Sequence, residues 1–121
     1  MAERLAREAL AVGMHRRTAH AVLIRALDAE GRPTEALAAA RQAAEDFPMA
    51  AELRGLLAVT LLQMGRPEEA HAAARRALYL DAAVPIAHLV LARSAELLGD
   101  DRTARRARRN SRQLLENGAR S

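Results

Sequence analysis

The sequence predicts an all-α solenoid of helix-turn-helix repeats, about seven helices forming a single domain over residues 1–121. Three observations carry this reading. The chain repeats itself every 34 residues: Gly31, Gly65 and Gly99 mark the period, and the same offset superimposes Leu23, Leu57 and Leu91, then Ile24, Ala58 and Ala92. Further along each copy the same offset brings together Ala36, Ala70 and Ala104, then Ala43, Ala77 and Ser111. A period in this range is the mark of stacked supersecondary units. Apolar residues on either side of each glycine recur at helical spacing. Finally, half of the residues are apolar but only Phe47 and Tyr79 are aromatic, so burial relies on many small side chains and suits closely packed helices.

Residues 1–16 show Leu5, Ala9 and Val12 at helical spacing, with Leu10 and Met14 beside them. Carried backward, the register sets Ala2, Ala6 and Ala9 on the small positions of a rear helix. This segment is expected to be a half-repeat left from a larger protein or a capping helix, with an apolar side open to weak dimerisation. Repeat 1 covers 17–50. Its front helix carries Leu23, Ile24 and Leu27 and ends at Gly31, where a left-handed residue closes a helix without a Cβ clash. Pro33 then starts the rear helix, at the first-turn position where a missing N–H costs nothing, and Phe47-Pro48 ends it.

Repeat 2, residues 51–84, follows the same plan with Gly65 and Pro67, and its rear helix is expected over 67–80. Repeat 3, 85–118, opens at Pro85, turns at Gly99 and has Asp100 as the expected N-cap. Its rear helix is expected over roughly 101–116, stopped by Asn117-Gly118. There an Ala104-Ala107-Ser111-Leu114 seam is surrounded by Arg102, Arg105, Arg106, Arg108, Arg109 and Arg112. A terminal repeat needs a polar outer face, so these arginines read first as a solvating cap.

A 34-residue period with a leucine and a following small residue, a glycine turn and two spaced alanines resembles the tetratricopeptide repeat (TPR) family over nearly the whole chain. The usual tryptophan position of that family holds His20, Arg54 and His88, and the usual tyrosine position holds Leu27, Leu61 and Ala95. The closing proline is kept as Pro48 and replaced by Ala82. The resemblance implies a scaffold, whose function lies in its surfaces.

Composition narrows the function classes. The net charge is +4, and all 19 basic residues are arginine, a bias that looks more like a GC-rich bacterial genome than selection for a ligand. There is no cysteine, hence no disulfide or thiolate chemistry. No apolar run approaches the ~20 residues of a membrane span, and no signal-peptide pattern opens the chain, so a cytoplasmic protein is expected. His15, His20, His71 and His88 lack the spacing of a helical zinc site, and His20 and His88 read as packing residues. No Gly-x-Gly-x-x-Gly, Walker loop or nucleophile elbow occurs. The chain is expected to have no catalytic site, metal or cofactor of its own.

A narrower resemblance covers about 75–116. Arg76-Ala77-Leu78-Tyr79-Leu80-Asp81, Ala87-His88-Leu89, Leu91-Ala92, Gly99-Asp100 and Ala104-Arg105-Arg106 with Arg109-Asn110 are similar to the TPR region on the C-terminal side of CheR-type chemotaxis protein methyltransferases. Ala82-Ala83 departs from that pattern where proline would follow Asp81. The resemblance implies a regulatory or partner-binding region of a chemosensory receptor methyltransferase, whose S-adenosylmethionine-dependent catalytic domain lies outside this chain. The broader alternative is a general TPR scaffold or adaptor.

In the family the front helices line a concave side. By register that side presents Thr18, Ala21, Arg25 and Asp28, then Glu52, Gly55, Val59, Leu62 and Gln63, then Ile86, Leu89, Arg93, Glu96 and Leu97. Gly55 is expected to leave an apolar, shallow middle, flanked by Arg25 and Arg93. Such a groove suits a protein or peptide segment with nearby carboxylates: a parent enzyme's own catalytic domain, a chemoreceptor or a signalling protein. TPRs that clamp acidic chaperone tails use Lys and Asn at these positions, which this sequence lacks. Arg102, Arg105, Arg109 and Arg112 form a basic surface that could meet phosphate, but neither aromatic residue lies on that helix, so base stacking is unavailable and nucleic acid is not the expected partner.

Overall fold

The structure, a computed structural model, describes Arg4, Arg7 and residues 16–120. Over 16–120 the chain forms six helices: α1 (Arg16–Ala29), α2 (Pro33–Asp46), α3 (Ala51–Gln63), α4 (Pro67–Leu80), α5 (Pro85–Leu97) and α6 (Asp101–Arg120). No strand occurs among the described residues. The architecture is the expected all-α repeat solenoid, and the helix count stands close to the expected seven. The half-repeat or capping helix of 1–16, and dimerisation through Leu5, Leu10, Val12 and Met14, fall outside the described residues.

Each hairpin is closed by the same hydrogen bonds. Gly31, Gly65 and Gly99 have φ of 71°, 73° and 81°, a conformation that side chains disfavour. In the first turn the Gly31 N–H donates to the Asp28 carbonyl at 3.1 Å and the Arg32 N–H to the Leu27 carbonyl at 3.0 Å. The second turn repeats this with Gly65 to Leu62 and Arg66 to Leu61, the third with Gly99 to Glu96 and Asp100 to Ala95. Each is a Schellman closure, which satisfies the last carbonyls of the front helix.

The rear helices then start in two ways. Pro33 and Pro67 open α2 and α4 with no side-chain cap. At the equivalent point of α6, where Asp101 replaces proline, the Asp100 carboxylate accepts from the Thr103 N–H at 3.1 Å and the Thr103 hydroxyl at 2.6 Å. Asp100 is therefore the N-cap that the sequence predicts.

Small residues let the helices approach. Ala36, Ala40 and Ala43 on α2 and Ala70, Ala74 and Ala77 on α4 are fully buried, and Ala104, Ala107 and Ser111 on α6 nearly so. From the front helices, Ile24, Leu27, Leu53 and Ala58 are buried against them. Front helices pack on their own rear partners and on one another, α1 on α3 and α3 on α5. The rear helices α2, α4 and α6 keep their backbones apart. An inner layer of front helices and an outer layer divided by clefts result.

Two expectations are corrected here. Asn117-Gly118 does not stop α6, which runs through it to Arg120. A glycine ends a helix only when it turns left-handed and its neighbours find carbonyl partners; Gly118 keeps an ordinary φ. Gly55 does not open a groove either. It is buried, and a Cβ built on it would stand 2.8 Å from the Ile86 Cγ2. Ile86 on α5 therefore fills the notch, and the missing side chain serves helix-helix approach.

Candidate functional site

The front helices carry the first candidate surface. At their N-terminal ends a hollow of about 740 Å³ opens between α1, α3 and α5, with Arg17, Arg25, Met49, Glu52, Pro85 and Ile86 in its walls. Arg25, Glu52 and Ile86 are the expected groove residues found there. Arg25 is exposed and donates to the Glu52 carboxylate at 3.0 Å, which ties α1 to α3 across the inner face. An exposed pair of this kind contributes little to stability.

The other expected groove residues of the second and third repeats spread along α3 and α5. Val59 and Leu62 are half-buried and lean on the core cluster of Leu61, Ala70 and Val90. Gln63 is exposed, as are Leu89 and Leu97 at 54% and 52% and Val22 of α1 at 43%. Arg93 lies 3.7 Å from Glu96, which also binds Arg108 of α6. Both rim arginines therefore already face a carboxylate of the chain. Ala21 is not part of the surface: it is buried in the cluster with Ile24, Ala40 and Leu53.

Asp28 reaches inward as well. Its Oδ2 accepts from the Thr60 hydroxyl at 3.0 Å, while its Oδ1 is buried without a partner. Burial raises its pKa above the usual 3.8, and the Thr60 bond only partly offsets this. Thr60 has one hydroxyl proton and two acceptors, the other being the Leu56 carbonyl at 3.1 Å. A protonated Asp28 would resolve the competition by donating to Thr60 itself.

The outer layer carries a second, polar surface. Arg102, Arg105, Arg109 and Arg112 are all exposed on α6. Seven of the nineteen arginines lie in this helix against only Asp101 and Glu116, so α6 more than accounts for the net charge of +4. Between α4 and α6 a cleft of about 250 Å³ is lined by His71 and Arg75 from α4, with Asp100, Thr103, Arg106 and Asn110 from α6 and its cap. Sequence reasoning missed this cleft, although the 34-residue register contained its signal.

His71 is held neutral in the cleft. Its Nδ1 lies 3.1 Å from the Ser94 Oγ, and the Ser94 hydroxyl donates to the Leu91 carbonyl at 3.1 Å. The ring nitrogen is therefore the donor. Burial lowers the His71 pKa below 6.5, Arg75 adds to this and Asp100 opposes it.

Two of the three residues at the tryptophan position act alike. His88 donates through Nε2 to the Ala82 carbonyl at 2.7 Å, and Arg54 donates to the Pro48 carbonyl at 3.0 Å. Both bonds span six residues and are one repeat apart. His20 instead meets Phe47 edge-on at 5.7 Å, with Asp46 at 3.5 Å. His20 and His88 are buried packing residues, and among the described residues no group of three His, Cys, Asp or Glu could hold a metal ion.

The tetratricopeptide-repeat model matches residues 27–94. No curated protein matches the chain. Among solved structures, MamA MSR-1 is similar at 23% identity and a TM-score of 0.73, covering 96% of this chain and 67% of its own. A MamA D159K mutant gives 24% identity and 0.72, covering 93% and 65%. This chain thus spans about two thirds of the length of these MamA structures. The second TPR of Spaghetti (RPAP3), bound to the HSP90 peptide SRMEEVD, gives 18% identity and 0.78, covering 83% and 93%. With more than half of its residues matched by the family model, and the repeated turns and alanine seams described above, the chain belongs to the tetratricopeptide-repeat family.

Proposed function

We propose that this chain is a non-catalytic TPR scaffold whose inner face, built by α1, α3 and α5, binds a segment of a partner protein. The observation that carries it is the pair of apolar side chains left exposed on α5, Leu89 and Leu97, together with a separate hollow between the front helices that the Arg25–Glu52 ion pair borders. A segment with aliphatic side chains would cover them, and its carboxylates would compete for Arg25 and Arg93. The RPAP3 repeat bound to a peptide shows that a similar fold can accept such a segment. Among the described residues no helix is long and apolar enough to cross a membrane, and the reading goes with a cytoplasmic setting.

Peptides selected from a displayed library on the intact chain test this. Leu62→Asp and Leu89→Asp should each weaken the selected peptides by about 2 kcal/mol or more, while Arg25→Ala and Arg93→Ala should act mainly on association rate and salt dependence. Selected peptides indifferent to both leucine substitutions would place the binding surface elsewhere.

The narrower reading is the partner-binding region of a chemosensory receptor methyltransferase, supported by the residue resemblance over 75–116. Under it, receptor methylation by the parent enzyme changes when this region is deleted and is not restored by the Leu62→Asp form. Equal methylation by all three forms would leave the general scaffold.

A further inference from the structure

Three outer clefts follow one register, and they differ in how their charges are balanced. In the middle one, Arg41 of α2 reaches Glu69 of α4 at 3.5 Å, so the guanidinium is matched across the gap. One repeat on, the same positions are Arg75 of α4 and Thr103 of α6. The arginine is kept and the carboxylate has become a hydroxyl. At the same time Arg106 enters the cleft where the earlier copies have Ala38 and Ala72, and Asn110 takes the place of Gln42 and Arg76. The cleft two repeats earlier has Glu35 and Ala38 in its wall and so keeps its carboxylate.

The α4/α6 cleft therefore holds two guanidiniums with no ion-pair partner among the described residues, together with the Asn110 amide. Its one carboxylate, Asp100, is already engaged by the Thr103 N–H and hydroxyl at the start of α6. His71, held neutral, adds no cation. We propose that the α4/α6 cleft is a binding site for a phosphate-type oxyanion, which takes the place of the carboxylate that this repeat has lost. A dianion matches the two arginines in charge, and guanidinium forks suit its oxygens. The cleft lies on the outer layer, apart from the inner face assigned to a protein segment. Free phosphate and the phosphoryl group of a small ester share this chemistry.

Calorimetric titration of the full 121-residue chain with inorganic phosphate at pH 7, against chloride at equal ionic strength, tests the site. One saturable site with a dissociation constant of ~1 mM or tighter is expected. Arg106→Ala, which restores the alanine found at this position in the earlier copies, and Thr103→Glu, which restores the internal carboxylate, should each weaken binding at least about tenfold. Arg109→Ala, which removes an α6 charge outside the cleft lining, should leave it within about twofold. Thermal melts in chloride establish that each variant is folded; Arg106 is exposed and its loss leaves no buried gap. Methyl phosphate binding as well as phosphate assigns the cleft to phosphoryl esters, and its exclusion assigns it to the free ion. Absence of saturable binding, unchanged binding in both cleft variants, or equal losses for Arg109→Ala and Arg106→Ala would overturn the proposal.

Discussion

Single side chains settle how this solenoid responds to pH, and two aspartates act in opposite senses. Asp100 has its pKa lowered from 3.8, first by the Thr103 hydroxyl and then by the Thr103 N–H. Its stabilising effect is thus present above the unfolded value and lost as the pH falls through the lower folded value. Asp28, raised by burial, does the reverse: its charged form is a burden at neutral pH, relieved as the pH falls toward 3.8. Asp28→Asn should accordingly raise the melting temperature at pH 7, with the gain shrinking as the pH approaches 4. Asp100→Ala should lower it at pH 7 and converge with the parent in acid. Thermal melts across pH check both signs; parallel shifts at every pH would contradict these assignments. His71 contributes in the same sense as Asp100 but higher on the scale, with its effect lost below about 6.5. The sequence marked Asp28 as a surface groove residue, because register gives direction but not the depth at which Thr60 of the next front helix meets it.

At the level of helices and turns, the period predicted much of what is found. The left-handed glycines, the two proline starts, the Asp100 cap and the buried alanines are local or nearest-neighbour features, and each stands where the sequence places it. Gly55 shows where that reasoning fails, since a missing side chain reads equally as a groove or as a contact. Its neighbour Ile86 is 31 residues away and belongs to the next front helix. Gly55→Ala should destabilise the domain by about 1 kcal/mol, because overpacking of ~1–3 kcal/mol exceeds the helix-propensity gain of ~1 kcal/mol. In an Ile86→Ala background the same change should become neutral or stabilising. Chemical denaturation of the four forms measures this coupling, and purely additive effects would show that the notch is not tight. The last helix needs no such contact to hold its arginines. Replacing Arg105, Arg109 and Arg112 by Gln should change stability by less than ~1 kcal/mol, as read by the same denaturation experiment.

Across the whole molecule, the front helices form one inner layer while the rear helices stand apart, so the two sides offer different chemistry. The inner side exposes leucines and half-engaged arginines; the outer side concentrates arginine on α6 and leaves unequal clefts between rear helices. The amino-acid sequence by itself determined the repeat, the turn chemistry, the alanine seams and the charge of the last helix. These follow from φ preference, helical spacing and side-chain size, all of which act within one hairpin or between copies in register. Only the tertiary structure decided that Ala21 is core, that Ile86 closes over Gly55, and that Arg25 and Glu96 already have partners. It also brought Arg75 and Arg106 onto one cleft without the carboxylate that serves Arg41. Those outcomes depend on the distance and angle between successive hairpins, which many weak contacts set together and no single stretch of sequence encodes.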